Sequence, residues 1–216
     1  MIPKIIHQIW IGDKPLPDRW EPLTKSWKDK NPDYQYIFWT QEKLNTLDKY
    51  NYLSSKINPT FISDIFRYKL LHLFGGFYFD VDFNCLKPIS QWDYDFNEID
   101  FFSIEYGGTT QNGLMASSEN NPVSEKLYND IPRDRFLSGD VYGPWWLNKV
   151  LKENDYEKDV NIFIEARNIV KFLPEWHGVK PLNNENLYTA NDSRYSTWYP
   201  SKFCPHTNIK NSDKDT

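Results

Sequence analysis

Asp64, Arg67, Asp80 and Asp82 interrupt a stretch that is otherwise largely apolar, Ser63-Asp64-Ile65-Phe66-Arg67-Tyr68-Lys69-Leu70-Leu71 followed by Gly75-Gly76-Phe77-Tyr78-Phe79-Asp80-Val81-Asp82. An ion taken out of water without a partner costs several kcal/mol, comparable to the whole stability margin of a domain. These charges must therefore pair with one another or be completed by a ligand. Side chains two apart on a strand share a face, so Tyr78, Asp80 and Asp82 point one way and Phe77, Phe79 and Val81 the other. The two carboxylates then sit on Cα atoms about 7 Å apart. That is too far for a proton-sharing dyad and suited to a hydrated divalent ion with its own ligand. Asp64 lies three residues before Arg67 and four before Tyr68, which puts all three on one helix face. Each piece has a bland reading, an i,i+3 ion pair or two solvated acids at a strand end. Their combination, two same-face acids directly after a helix that carries an acid and a base, favours a site.

The elements that position them are readable from periodicity and breakers. Pro59 opens a helix whose apolar residues recur at Ile62, Ile65, Phe66, Leu70 and Leu73, and Gly75-Gly76 close it and release the chain into a strand over 77–82. Upstream, a strand is expected over 4–11, a helix over 19–29 bearing Trp20, Leu23 and Trp27, and a second strand over 34–39. Strand, helix, strand begins a parallel α/β sheet, in which nucleotide sites form at strand ends. Thr40 reads as the N-cap of a short helix reaching about residue 48. Downstream, strands are expected at 101–106 and 114–117, joined by a turn over 107–113, with helices over 122–129 and 144–153. The acids Asp93, Asp95, Glu98 and Asp100 read as a solvated loop. With no repeat or linker, one domain over 1–208 is expected, followed by a polar, disordered tail over 209–216.

Three segments together resemble glycosyltransferase family 32, the sugar-transferring enzymes with a D-x-D motif that include yeast mannosyltransferases and bacterial capsule enzymes, with a wider similarity to clostridial glucosylating toxins. They are Ile2-Pro3-Lys4-Ile5-Ile6-His7-Gln8-Ile9-Trp10-Ile11-Gly12, the Asn31-Pro32-Asp33-Tyr34 segment running to Phe38-Trp39, and the Ser-Asp-x-x-Arg helix with its Gly-Gly-x-Tyr-x-Asp-x-Asp strand. The resemblance implies an α/β, single-domain GT-A fold with a mixed central sheet flanked by helices. It also implies Mn²⁺ or Mg²⁺ held against the diphosphate of a nucleotide sugar, a chemistry in which a divalent ion spreads the charge of the departing group. By the same resemblance Trp10 stacks on the base, with His7 and Gln8 as polar contacts to base or ribose. Asp64 and Arg67 grip the donor sugar and phosphate side, Tyr78 packs by the ribose, Asp80 is shared between ribose, sugar and metal, and Asp82 ligates the metal. His206, with His177 behind it, is the candidate to close the metal shell, although the Ser-Trp pair that follows this His in the family is missing. Asp140, in the loop where the family places its acceptor side, is the candidate to hold an acceptor hydroxyl or serve as a catalytic base. Core packing is the competing reading for both His7 and Trp10.

The expected activity is therefore transfer of a hexose from a nucleotide sugar to a hydroxyl of a glycan or glycoconjugate, with retention. UDP-hexose, for instance UDP-glucose, is favoured over GDP-mannose because of Trp10. A lapsed nucleotide-sugar or glycan-binding module is the alternative. A haloacid-dehalogenase-type phosphatase fits less well, because its acids belong on the first strand. A net charge of -5 and a pI near 5.4 argue against a nucleic-acid surface. Cys85 and Cys204 are too few for a disulfide framework, which fits a reducing cytosol. No segment reads as a signal or membrane span, so a cytoplasmic location is expected and the sequon at Asn191 is read as unused. The chain is also compatible with a domain of a longer polypeptide.

Overall fold

The computed structural model describes residues 1–12, 14–47, 59–106, 108–132, 142–159, 161–165, 170–173 and 189–192. The proposed tail over 209–216 lies outside them. A six-stranded mixed sheet runs through the molecule in the order β2-β1-β3-β6-β5-β7. β1 (Ile5–Trp10) lies between β2 (Gln35–Thr40) and β3 (Gly76–Phe79) and is parallel to both, with Ile6 opposite Tyr36 and Phe77. β6 (Thr109–Ser117) then pairs antiparallel with both β3 and β5 (Phe101–Tyr106), and β7 (Ile162–Glu165) extends β5 in parallel. A second sheet has the order β4-β9-β8, with β4 (Phe83–Cys85) antiparallel to β9 (Thr189–Asp192) and β8 (Val170–Leu173) parallel to it.

Each face of the large sheet has its own core. On one face α3 (Pro59–Phe74), α4 (Pro122–Asn129) and α5 (Pro144–Glu153) bury Ile65, Leu70, Leu127 and Leu147 together with Tyr78 and Met115 of the sheet. On the other, Trp27 of α1 (Glu21–Lys30) stacks on Phe79 at 3.5 Å between ring centroids, among Phe77, Trp92 and Phe102. The alternation expected along β3 therefore holds. Its end does not: the strand stops at Phe79, and Asp80 to Phe83 form a tight turn closed by Phe83 N–H donating to Asp80 O at 3.0 Å. The two acids thus stand on a turn rather than on one strand face, because the chain must reverse there to enter β4.

The helix before β3 ends as its glycines require. Gly75 and Gly76 have φ of 60° and 89°, and a Cβ at Gly76 would stand 2.6 Å from Ile5 O, so close packing of β1 against β3 excludes a side chain there. Thr40 accepts from Lys43 N–H as the N-cap of α2 (Gln41–Asn45), which is shorter than expected. The β5–β6 hairpin also differs from expectation, since residues 109–113 belong to the strand. Its extra length is taken up by a bulge. Ser103 pairs with Met115 but Ile104 pairs with Gln111, which leaves Asn112, Gly113 and Leu114 with no counterpart on β5. Ser103 Oγ, 2.6 Å from Gln111 O and 3.2 Å from Leu114 O, donates into the bulge and holds it.

Candidate active site

α3 delivers Asp64 and Arg67 into the interior, both 4% exposed. Arg67 Nη2 lies 3.0 Å from Asp64 Oδ1 and 3.3 Å from Asp80 Oδ1, so the expected local pair is part of a bridge between α3 and the end of β3. The rest of the guanidinium is also engaged: Nη1 donates to Asn112 O at 2.8 Å, Nη2 to Ser63 Oγ at 3.1 Å, and the group lies 4.7 Å from the centre of the Tyr78 ring. Tyr78 donates its hydroxyl to Asp80 Oδ1 at 2.7 Å. Burial opposes the charge on Arg67, but Asp80, Tyr78 and Asp64 around it hold the guanidinium protonated at any ordinary pH. Burial pushes the Asp64 carboxyl up to about 6, with Arg67 pulling the other way. The network climbs from the core toward solvent, since the Asp80 side chain is 34% exposed.

The β6 bulge forms the facing wall. Asn112 gives its carbonyl to Arg67, and its amide donates to Asp64 Oδ1 at 2.9 Å and to Tyr68 Oη at 3.3 Å. Tyr68 in turn donates to the Tyr142 and Gly143 carbonyls at 2.9 and 3.2 Å, tying the chain just ahead of α5 to the same network. Gly113 O accepts from Asp80 N–H at 2.9 Å, and a Cβ on Gly113 would stand 2.8 Å from Asp80 Oδ2. Only the absence of a side chain leaves that carboxylate oxygen room. Ser63, Asn112 and Gly113 were not site candidates from sequence. The signal for Asn112 and Gly113 is the stretch between two strand patterns, which reads as a turn until pairing shows it to be a bulge.

Gln8 and His7, expected as base or ribose contacts, are both fully buried and hydrogen-bonded within the protein. Gln8, fully buried, donates from Nε2 to Asp80 O at 3.2 Å while its Oε1 accepts from Tyr36 at 2.7 Å, so it braces the acidic turn from below. His7 is a core residue: Nδ1 accepts from Trp39 Nε1 at 3.0 Å and Nε2 donates to Gly75 O at 2.9 Å. Burial lowers its pKa to about 4. Trp10, at the end of β1, is half-buried, edge-on to Trp20 at 5.4 Å, with its indole N–H donating to Lys14 O.

Asp82 is 7% exposed and follows Asp80 in the turn. Among the described residues no group of three or more His, Cys, Asp or Glu side chains is clustered to hold a metal. The fit to a divalent ion is that of a shared shell: hard carboxylate oxygens from Asp80 and Asp82, the clearance that Gly113 leaves at Asp80 Oδ2, and a surplus of negative charge over the single guanidinium. Asp140, His177 and His206 lie outside the described residues. Among the described residues no helix is long and apolar enough to cross a membrane.

Residues 17–97 match the family model described as a glycosyltransferase sugar-binding region containing a DXD motif. The chain is 37% identical over 99 residues to inositol phosphoceramide mannosyltransferase 1 of Schizosaccharomyces pombe, covering 41% of this chain and 30% of that protein. An uncharacterized glycosyltransferase of Acanthamoeba polyphaga mimivirus is 24% identical over 96% of this chain and 78% of its own length. The chain thus spans well under half the length of the fungal relative and most of the viral one. Among solved structures the PaToxG glycosyltransferase superposes with a TM-score of 0.54 at 23% identity, covering 73% of this chain and 72% of that one. It has the same fold.

Proposed function

We propose that this chain, whose residues 17–97 match the family model of DXD-containing sugar-binding-region glycosyltransferases, transfers a hexosyl group from a nucleoside diphosphate sugar to a hydroxyl of a glycan or glycoconjugate. The observation that carries the reading is the buried guanidinium of Arg67 shared between Asp64 and the turn acid Asp80. A structural ion pair has no need of a second, part-exposed carboxylate on another element. A donor-binding site does.

In this reading Asp80 and Asp82 hold a divalent ion, Mn²⁺ or Mg²⁺. When bound, the ion neutralises the diphosphate as the sugar departs. The chain's own residues prepare that event. Arg67 and Tyr78 both lie on Asp80 Oδ1, fixing the carboxylate and leaving Oδ2, beside Gly113, for the ligand side. Gln8 and Gly113 fix the same residue through its backbone. Asp64, held by Arg67 and Asn112, is placed to accept from a donor-sugar hydroxyl, and such preorganised contacts are worth more in a water-poor site than at a surface.

Two donors are supported by separate observations. The half-buried Trp10 at the end of β1 suits a UDP-hexose such as UDP-glucose. The fungal relatives are named mannosyltransferases, which favours GDP-mannose. Calorimetric titration with UDP, UDP-glucose, UDP-galactose, GDP and GDP-mannose, each with Mn²⁺ and again with excess chelator, tests both. The expected result is metal-dependent binding of one base series. Failure of every nucleotide to bind with metal present would overturn the transferase reading.

A further inference from the structure

Beside the β5–β6 hairpin lies an open hollow of about 300 Å³ lined by Gly108, Thr109, Pro144, Trp145, Asn148 and Lys152. On α5 the lining residues form one stripe, and Trp145 within it is 53% exposed. Its sequence neighbour Trp146 does the opposite: it is 5% exposed and donates its indole N–H to Leu127 O. The helix is therefore anchored through one indole and presents the other. A single exposed apolar side chain is ordinary. What distinguishes Trp145 is its fixed surroundings. Asn148 locks the helix to β6 by accepting from Thr110 N–H at 3.1 Å and donating to Thr110 O at 2.9 Å, and Lys149 Nζ lies 5.4 Å from the centre of the Trp145 ring. A flat apolar ring in a rigid hollow with a hydroxyl (Thr109) and an ammonium (Lys152) at its margin is the complement of a sugar ring, which offers an apolar C–H face and a rim of hydroxyls.

Both walls of the hollow are tied to the candidate active site. β6 carries Thr109 and Thr110 and, two residues on, Asn112. The chain entering α5 is held at Gly143 by Tyr68, which also accepts from Asn112, and Trp145 follows two residues later. Thr110 and Asn112 are two residues apart on β6, about 7 Å of extended chain, so one strand runs directly from the hollow to the Asp64 network.

We propose that the Trp145 hollow is an acceptor subsite that takes a pyranose unit of a glycan, stacked on the indole, outside the unit that receives the transferred sugar. The proposal rests on the transferase reading. Trp145→Ala and Trp145→Phe are exposed substitutions that leave the core intact. Fluorescently labelled protein, with Mn²⁺ and the nucleotide that titration selects, is applied to a printed array of mannosyl, glucosyl and galactosyl oligosaccharides. Nucleotide affinity of each variant is measured in parallel. Capture of an oligosaccharide by the unaltered chain, at least tenfold weakened in Trp145→Ala, largely kept in Trp145→Phe, with nucleotide affinity unchanged in both, is the expected result. Capture that survives Trp145→Ala undiminished, or no capture by the unaltered chain while nucleotide binds, would sink the subsite. Loss of nucleotide binding with oligosaccharide capture intact would instead remove the transferase reading and leave a glycan-binding hollow.

Discussion

Both faces of the large sheet have apolar cores, but the layers that meet β3 itself differ in kind. Toward α1, Phe77 and Phe79 meet Trp27, Trp92 and Phe96 in a layer of rings at 3.5 to 6.5 Å whose cohesion is apolar burial and dispersion. Toward α3, Tyr78 meets Arg67, which with Asp64 and Asn112 forms a cluster as deeply buried but built from charge and hydrogen bonds. Replacing a buried charged cluster by well-packed apolar residues is often neutral or stabilising, so stability alone does not explain why the second layer is ionic. The contrast teaches that the proposed donor site would account for the cost of burying Arg67 and Asp64, with the aromatic layer packed behind it. The two layers meet at the acidic turn, where Trp27 Nε1 donates to Phe83 O at 2.8 Å and Gln8 donates to Asp80 O.

The sharpest way to break the comparison is Arg67→Ala. Leaving Asp64 and Asp80 without their shared cation should cost about 3–5 kcal/mol in urea unfolding and abolish donor binding. Unchanged titration of nucleotide would return Arg67 to a structural pair. Trp27→Ala should lose a similar stability, about 3–5 kcal/mol, yet retain donor affinity in the folded fraction; loss of affinity at full folding would erase the division of labour. His7 sharpens the picture on the α3 side, because it is polar, buried and neutral. Its folded pKa of about 4 lies below the ordinary 6.5, so the native state binds fewer protons between those values. Its stabilising contribution is complete above pH 6.5 and is lost as pH falls toward 4, on the order of 3 kcal/mol. Unfolding free energies measured across that interval should show the slope in the natural chain and lose it in His7→Gln. The smallest expected effect is Gly113→Ala. Its Cβ must displace the Asp80 carboxylate, which should weaken Mn²⁺-dependent donor binding about tenfold at a stability cost of about 1–3 kcal/mol. Equal metal-dependent affinity in the two proteins would show that the turn tolerates the shift.

Much of this arrangement was legible beforehand. Asp64 and Arg67 could be placed on one helix face because helical spacing is local, and Gly75-Gly76 marked the helix end because only a residue without Cβ fits there. The separation of Tyr78 from Phe77 and Phe79 followed from strand alternation. What escaped was whatever depended on pairing between distant segments. The turn at Asp80 to Phe83, the three-residue bulge that brings Asn112 and Gly113 against α3, and the grip of Gln8 on Asp80 all arise from registers that no local pattern encodes. His7 and Gln8 are the instructive pair. Adjacent in sequence and both fully buried, one is satisfied within the core and the other reaches the acidic turn, a difference set by which strand face each occupies.

The bulge in β6 has a consequence for how such a pocket can diversify. Ladders on both sides of it, Ser103 with Met115 and Ile104 with Gln111, remain in register however many residues loop out between them. Gain of a residue beside Asn112, between the Gln111 pairing with Ile104 and the Gly113 and Leu114 contacts with Asp80 and Phe79, would reshape the wall facing Asp64 while the β5–β6 hairpin beyond keeps its partners. Chain length at that one point is therefore an adjustable dimension of the pocket, available to natural variation and to engineering without redesign of the scaffold.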